Sequence, residues 1–441
     1  MDLKATDLTR VWHPFQQASV YNSRQLIVCS GEGPYIFDDE GRRYLDGISG
    51  LWNVCLGYSE SRVTDAVYEQ LNAMPFTSLI VFSHEPAVLL AERLAEIAPP
   101  GLDTVFFTSG GSEGIETALK LIRHVNVVRG CPCRQKVVSL HGAYHGMAYG
   151  ALSVTGFGLD KAPFVLETPG AVQVPSLYTA LLERREPSPQ EAFDQVHRCI
   201  DILDPSTVGA VVVEPVMGVA GMLPHRREFL SALSDYCQDA DIFLIFDEVA
   251  TGLGRTGRML AADLYGIRPD IIVLAKGITS GYAPLGAVLI DRHLFDICQD
   301  GSPEAGFMHG FTYGGHPASC AAALATIAVI ESDGLLEKVT DDGSRLAQRL
   351  REALPAAATT PVRQTGLMLA FDLLDPAKGR FALPEMGAAV VAEARRRGVI
   401  LRTTYGGFTF NLAPPFVCTS ADLDLLAEVT ADATKAVVAS S

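Results

Sequence analysis

Long apolar runs are missing from this chain of 441 residues: none approaches the roughly 18 needed to cross a bilayer, which predicts no membrane span. Cations are scarce too. Against 51 Asp and Glu stand 35 Lys and Arg, a net charge of −16 that argues against nucleic acid or an anionic membrane as partner. The nine cysteines lack any framework spacing, and the only close pair, Cys131 and Cys133, is C-x-C rather than C-x-x-C. Reduced thiols follow, and because the ten histidines do not gather around them, no metal site is expected. The start, Met-Asp-Leu-Lys-Ala-Thr-Asp, has neither the basic end nor the apolar stretch of a signal peptide, so the protein is expected in the cytoplasm. No internal repeat or low-complexity tract is visible, and Pro187 to Pro189 reads as a surface loop.

What is present is an ordinary globular composition, 48% hydrophobic and 20% charged. The length exceeds what one hydrophobic core serves, predicting a large domain over 51–315 and a smaller one from 1–50 and 316–441. Short β-branched runs alternate with amphipathic windows, the pattern of an α/β protein with a mostly parallel sheet. Five runs carry it: Thr104 to Thr108, Lys136 to Leu140, Val208 to Val213, Ile242 to Phe246 and Ile271 to Leu274. Farther on come an Ala-rich helical window from Pro317 to Ile330, a charged segment from Glu331 to Leu354, and a strand-like Leu367 to Leu373. A basic helix ending at Arg395 to Arg397 and a strand-like Gly398 to Arg402 complete the pattern.

Ligands of open α/β sheets bind beyond the carboxyl ends of the strands, and the polar residues of this chain gather there. Ser109-Gly-Gly-Ser-Glu-Gly joins a strand to a helical pattern at Glu116 to Arg123; its N–H groups suit a phosphate, or the turn simply connects the two elements. It matches neither G-x-G-x-x-G nor G-x-x-x-x-G-K-[ST]. Asp247 ends an apolar strand, where a carboxylate needs a cation such as a protonated pyridine nitrogen. Alternatively Asp247 or Glu248 caps the next turn or pairs with Arg255 or Arg258. Lys276 ends another apolar run, placed either to form an imine or to sit in solvent. Together, an anion-binding turn, a strand-end Asp and a strand-end Lys are the three handles that pyridoxal phosphate needs.

On these residues the chain resembles the class III aminotransferases, fold type I pyridoxal-phosphate enzymes, and within them the ω-aminotransferase branch. The likeness spans nearly the whole length: Trp12-His-Pro-Phe, Gly50-Leu-Trp-Asn, Ser109-Gly-Gly-Ser-Glu, Tyr144-His-Gly, Glu214-Pro-Val, Asp247-Glu-Val-Ala-Thr-Gly-Leu-Gly-Arg-Thr-Gly, Ala275-Lys-Gly-Ile-Thr-Ser-Gly-Tyr-Ala-Pro-Leu-Gly, Phe311-Thr-Tyr-Gly-Gly-His-Pro and Ala413-Pro-Pro. The resemblance implies a large domain with a mostly parallel sheet plus a smaller α+β domain. It also implies transfer of an amino group from an amine or ω-amino acid to a keto acid such as pyruvate or 2-oxoglutarate, through a Schiff base on Lys276.

By the same resemblance Asp247 keeps the ring nitrogen protonated, Gly111 and Ser112 bind the phosphate, Tyr144 stacks on the ring, Val249 packs beneath it, and His145 and Glu214 complete the cofactor set. Thr312 would come from the partner subunit, implying a homodimer, with a tetramer of dimers left open. Without the family, Tyr144 and Thr312 would read as a core aromatic and a turn hydroxyl. Trp52, Ile80, Tyr144 and Val219 fall at substrate-pocket positions, and Arg402 falls where relatives grip a carboxylate. Met147 stands where ornithine and γ-aminobutyrate aminotransferases carry arginine, favouring an uncharged amine or ω-amino acid. Gly110 and Ile115 depart from the ω branch, which keeps a diaminopelargonate-type aminotransferase open. A racemase or aminomutase of the same fold, or a non-catalytic regulator that binds the cofactor, would carry the same motifs.

Overall fold

The computed structural model describes residues 2–15, 21, 25–164, 170–299, 305–404 and 406–440. Near the N-terminus three short strands, β1 (Val28–Glu32), β2 (Tyr35–Asp38) and β3 (Arg43–Asp46), form an antiparallel meander. The middle of the chain supplies β4 (Thr104–Thr108), β5 (Lys136–Leu140), β6 (Ala171–Val174), β7 (Val208–Val213), β8 (Val216–Met217), β9 (Leu223–Pro224), β10 (Phe243–Asp247), β11 (Ile271–Leu274) and β12 (Gly286–Ile290). The last third supplies β13 (Arg363–Thr365), β14 (Met368–Asp372), β15 (Leu374–Asp375), β16 (Arg380–Phe381), β17 (Val399–Ile400), β18 (Arg402–Thr403) and β19 (Thr409–Leu412).

Seven strands make the central sheet in the order β4-β12-β11-β10-β7-β5-β6, parallel throughout except for β12, which is antiparallel to both neighbours. The α/β class and the mostly parallel sheet are therefore as expected. Helices cover both faces, which is why β7, β10 and β11 are buried along their whole length and read as unbroken apolar runs. The helix Gly111–Val128 follows β4 and buries Ile115, Ala118, Leu119, Ile122 and Val125, spaced to form one stripe. Gly114 lets it lie close on the sheet, since a Cβ there would come 2.5 Å from Val273.

Several boundaries differ from the sequence expectation: Leu367 to Leu373 narrows to Met368–Asp372, and the window from Pro317 runs on to Ser332. The fourth apolar run shifts by one residue, to Phe243–Asp247, because the Ile242 N–H closes the preceding helix on Cys237 O at 2.8 Å. The helix expected over Glu116 to Arg123 is more than a turn longer at its start, beginning at Gly111 within the glycine-rich turn. Gly398 to Arg402 is two strands: β17 pairs with β3, and β18 joins the separate sheet β13-β14-β19-β18. The chain changes sheets at Leu401, and that crossing sets Arg402 on a different sheet from Val399 and Ile400.

Among the described residues no single helix is long and apolar enough to cross a membrane, and no group of three or more His, Cys, Asp or Glu is placed to hold a metal ion. All nine cysteines are free.

Candidate active site

The carboxyl ends of β4, β5, β7, β10 and β11 open into one cleft of about 540 Å³, lined by Trp52, Gly111, Ser112, Tyr144, His145, Glu214, Val219, Asp247, Val249 and Lys276 among others. Ten of the residues that the sequence marks out thus converge from segments more than 200 positions apart. Each strand stops where its polar residue begins, so the parallel sheet aims them at a common point.

The floor is a chain of buried hydrogen bonds. Asp247, the last residue of β10, accepts the Val249 N–H at 3.0 Å on Oδ1, and His145 Nδ1 lies 2.7 Å from its Oδ2. The His145 main-chain N–H is held by Thr155 Oγ1 at 3.0 Å, while its Nε2 is buried with no hydrogen-bond partner among the described residues. Beside them Glu214 accepts the Tyr144 and Gly218 N–H groups, both at 2.9 Å. Burial pushes the Glu214 carboxyl up to about 7, the His145 ring opposing that rise and the Asp247 charge adding to it.

Lys276 stands opposite, on a backbone held at φ 42°, a left-handed conformation rare for a side chain of this size. Burial drives its pKa down; Asp247 and Glu214 pull it back up, and the Arg402 charge adds to the lowering. Its Nζ lies over the Trp52 indole, 5.1 Å from the ring centroid. Trp52 is itself presented by a strained turn, with Ser49, Gly50 and Trp52 all at positive φ. Asp46 braces that turn by accepting the Ile48 N–H at 3.1 Å and the Gly50 N–H at 2.6 Å.

The far end of the cleft is the start of helix Gly111–Val128. Its first residue is preceded by Gly110 with no side-chain cap, so the leading N–H groups face the opening. Ser112 Oγ accepts the Met147 N–H at 3.1 Å. Two glycines keep this end open: a Cβ on Gly111 would meet Val249 at 2.9 Å, and one on Gly146, at φ +119°, would collide with Ser112 Oγ. An uncapped helix start, a buried carboxylate and an amine of lowered pKa, set around one cleft, are the donor set for an elongated anion with a basic ring nitrogen and a carbonyl carbon.

Three candidates lie elsewhere. Ile80 is 72% exposed, Thr312 is exposed on a surface turn, and Arg402 is exposed on β18; none lines this chain's own cleft. Glu248 and Arg255 resolve the open choices around Asp247. Glu248 accepts the N–H groups of Ala261 and Ala262 at 2.5 and 2.8 Å, capping the helix Ala261–Tyr265, and Arg255 donates to Pro414 O at 2.7 Å. Asn53, Ala250 and Thr279 also line the cleft, and sequence reasoning missed them. Their one signal is adjacency: Asn53 follows Trp52, and Thr279 closes the single turn of helix that Lys276 opens.

Known proteins match the chain along nearly its whole length. The family model described as "Aminotransferase class-III" matches residues 17–434. An adenosylmethionine-8-amino-7-oxononanoate aminotransferase of Geobacter sulfurreducens is 35% identical over 97% of this chain and 96% of its own length. Among solved structures, an (S)-enantioselective omega-transaminase from Thermomicrobium roseum superposes with a TM-score of 0.94 at 35% identity, covering 99% of this chain and 98% of that one. An omega-transaminase from Pseudomonas jessenii, in complex with PMP, superposes with a TM-score of 0.93 at 31% identity over 99% and 98%.

Proposed function

Since the chain belongs to the class III aminotransferase family and is a pyridoxal-phosphate-dependent transaminase, we propose that it moves the amino group of an uncharged amine or ω-amino acid to a keto acid such as pyruvate or 2-oxoglutarate. The observation that carries this reading is the convergence of Lys276, Asp247 and the uncapped start of helix Gly111–Val128 on one cleft.

When bound, pyridoxal phosphate supplies an electron sink that stabilises negative charge on the substrate carbon. Gly111, Ser112 and the leading N–H groups of their helix would hold its phosphate, Tyr144 and Val249 would flank the ring, and Asp247 would answer the charge of the ring nitrogen. His145 fixes Asp247 by hydrogen bonding to Oδ2, and the Val249 N–H fixes the other oxygen. Lys276 would hold the cofactor at rest. Its lowered pKa favours the neutral amine, so with the cofactor bound Nζ would be the base that accepts the proton leaving the substrate carbon. Glu214 keeps the Tyr144 and Gly218 amides in place beside this chemistry.

The substrate class rests on the walls. Trp52 and Val219 line the cleft, and Met147 follows Tyr144-His-Gly without adding a cation. Arg402 is the group we assign to a carboxylate, supported by the reach of its charge to Lys276. A second donor class, the S-adenosylmethionine named for the Geobacter relative, is favoured by that similarity.

We further assign Thr312 and Ile80 to the cleft of a second copy in a homodimer. Ile80 continues into exposed Val81 and Phe82, and Thr312 sits between Met308, 97% exposed, and exposed Tyr313, an apolar surface suited to burial against a partner. The division into 51–315 and the two outer segments is supported by the pairing of β3 with β17, which joins the chain's two ends in one sheet. The free cysteines support work in the cytoplasm.

The test is the visible absorbance of the purified protein mixed with a donor panel of alkylamines, arylalkylamines, ω-amino acids and S-adenosylmethionine, followed by pyruvate or 2-oxoglutarate. Bleaching by uncharged amines or ω-amino acids, reversed by a keto acid, is expected; bleaching by S-adenosylmethionine alone would replace the donor class.

A further inference from the structure

Val219 lines the cleft from the segment Gly218–Met222, and that segment is held from outside the central sheet. Asn411 Nδ2, on β19, donates to Gly218 O at 3.0 Å, and Arg363 Nε, on β13, donates to Gly221 O at 2.8 Å. Gly218 also donates its own N–H to Glu214 at 2.9 Å. Its two peptide groups are therefore gripped from both sides, by the buried carboxyl of the cleft and by the sheet β13-β14-β19-β18.

The register of that sheet adds a second point. Arg363 pairs with Ala370, Ala370 with Asn411, and Asn411 with Arg402, so the four form one row across the sheet with their side chains on the same face. Arg363 is locked within the row by Asp372, which takes its two guanidinium nitrogens at 2.6 and 3.0 Å and the Thr409 hydroxyl at 2.7 Å. Ala370 and Met368 share an apolar cluster with Trp52, against which Val219 packs. The segment has little freedom otherwise: a Cβ on Gly218 would come 3.0 Å from the Trp52 ring, and one on Gly221, at φ +113°, would come 2.9 Å from Arg363.

We propose that Asn411 and Arg363 are positioning residues for substrate selection: by holding Gly218 O and Gly221 O they fix the Val219 wall, and their row carries Arg402 at its edge. The space between that wall and the carboxylate-binding arginine is thus set by a sheet that touches neither cofactor nor reacting carbon. This rests on the reading of the cleft as an amine site. Asn411 is suited to the task because its Nδ2 is engaged while its buried Oδ1 has no partner among the described residues. The side chain acts as a single donor to the wall.

The experiment uses the cofactor-loaded protein with Asn411→Leu, which keeps the volume and removes the donor, and Arg363→Lys, which keeps the charge and removes the fork. Hydrogen exchange of the amides in 216–222 is expected to quicken about tenfold in either variant. The ratio of kcat/KM between a short and a branched amine is expected to change about fivefold, through KM, with cofactor affinity within about twofold of the parent. Adding Val219→Ala to Asn411→Leu should then change the ratio no further than Val219→Ala alone. Unchanged exchange and an unchanged ratio, with only a lowered melting temperature, would overturn the proposal. If Asn411→Leu does not fold, Arg363→Lys carries the same two readouts. Failure of the amine reading itself is separately visible as absence of turnover in the parent protein, and the exchange measurement still decides the clamp.

Discussion

His145 Nδ1 lies 2.7 Å from Asp247 Oδ2, and both side chains are closed off from solvent. A buried carboxylate needs compensating donors, and Asp247 has one on each oxygen, the imidazole and the Val249 amide. The carboxylate is therefore fixed in direction, facing the cleft. Replacing His145 by Leu removes one of the two. A hydrogen bond to a charged group contributes about 1.5–3 kcal/mol, so kcat/KM should fall about 10- to 100-fold. The absorbance of bound cofactor should also change its pH dependence, a readout that general loosening of the fold would not move.

Trp52 sets the cleft's width from the other side, with the Lys276 amine above its ring and Gly218 against its edge. Trp52→Ala should raise the kcat/KM of bulky arylalkylamines relative to a short amine by about tenfold. Removing a buried indole costs about 3 kcal/mol or more of stability. Steady-state kinetics with a size-graded amine series, alongside urea unfolding, checks both parts; an unchanged size preference would mean that the indole does not limit the cleft.

His225 stacks on Phe229 with ring centroids 4.8 Å apart, and neither of its ring nitrogens has a hydrogen-bond partner among the described residues. Burial pushes its pKa down to about 4, below the ordinary 6.5. The unfolded chain therefore binds this proton more readily than the folded one, and stability is lost as pH falls from 6.5 towards 4. His225→Phe should relieve that loss, gaining about 2 kcal/mol over the parent at pH 5 compared with pH 8, as read by urea unfolding of the cofactor-free protein. Glu214 and Glu248 act in the opposite sense. Burial raises both to about 7, so their contribution is full below the ordinary 4.5 and fades as pH rises through 7 in parent and variant alike. An equal difference between His225→Phe and the parent at both pH values would contradict the assignment.

The chemistry-bearing ends of the strands are legible in the sequence because a buried parallel strand is a short apolar run that stops where the cleft begins. Asp247 and Lys276 can be found that way, and so can the glycine-rich turn. What pairs with what is less legible, because it depends on contacts between distant segments. Spacing alone leaves Glu248 between a nearby turn and an arginine, yet it caps a helix start thirteen positions later. The grip of Asn411 on Gly218 spans 193 positions and leaves no local pattern. Ile80 and Thr312 illustrate a different limit: their place at the surface of one chain gives them a role only if a second copy approaches.

Lys276 is the residue on which the proposed chemistry of the cleft depends. Borohydride treatment of the purified, cofactor-loaded protein, followed by proteolysis and mass mapping, should leave the cofactor's mass on the peptide that contains Lys276 and on no other, and Lys276→Ala should carry none. Cofactor mass on a different lysine, or none on any peptide of a protein that still turns over amines, would contradict the central claim.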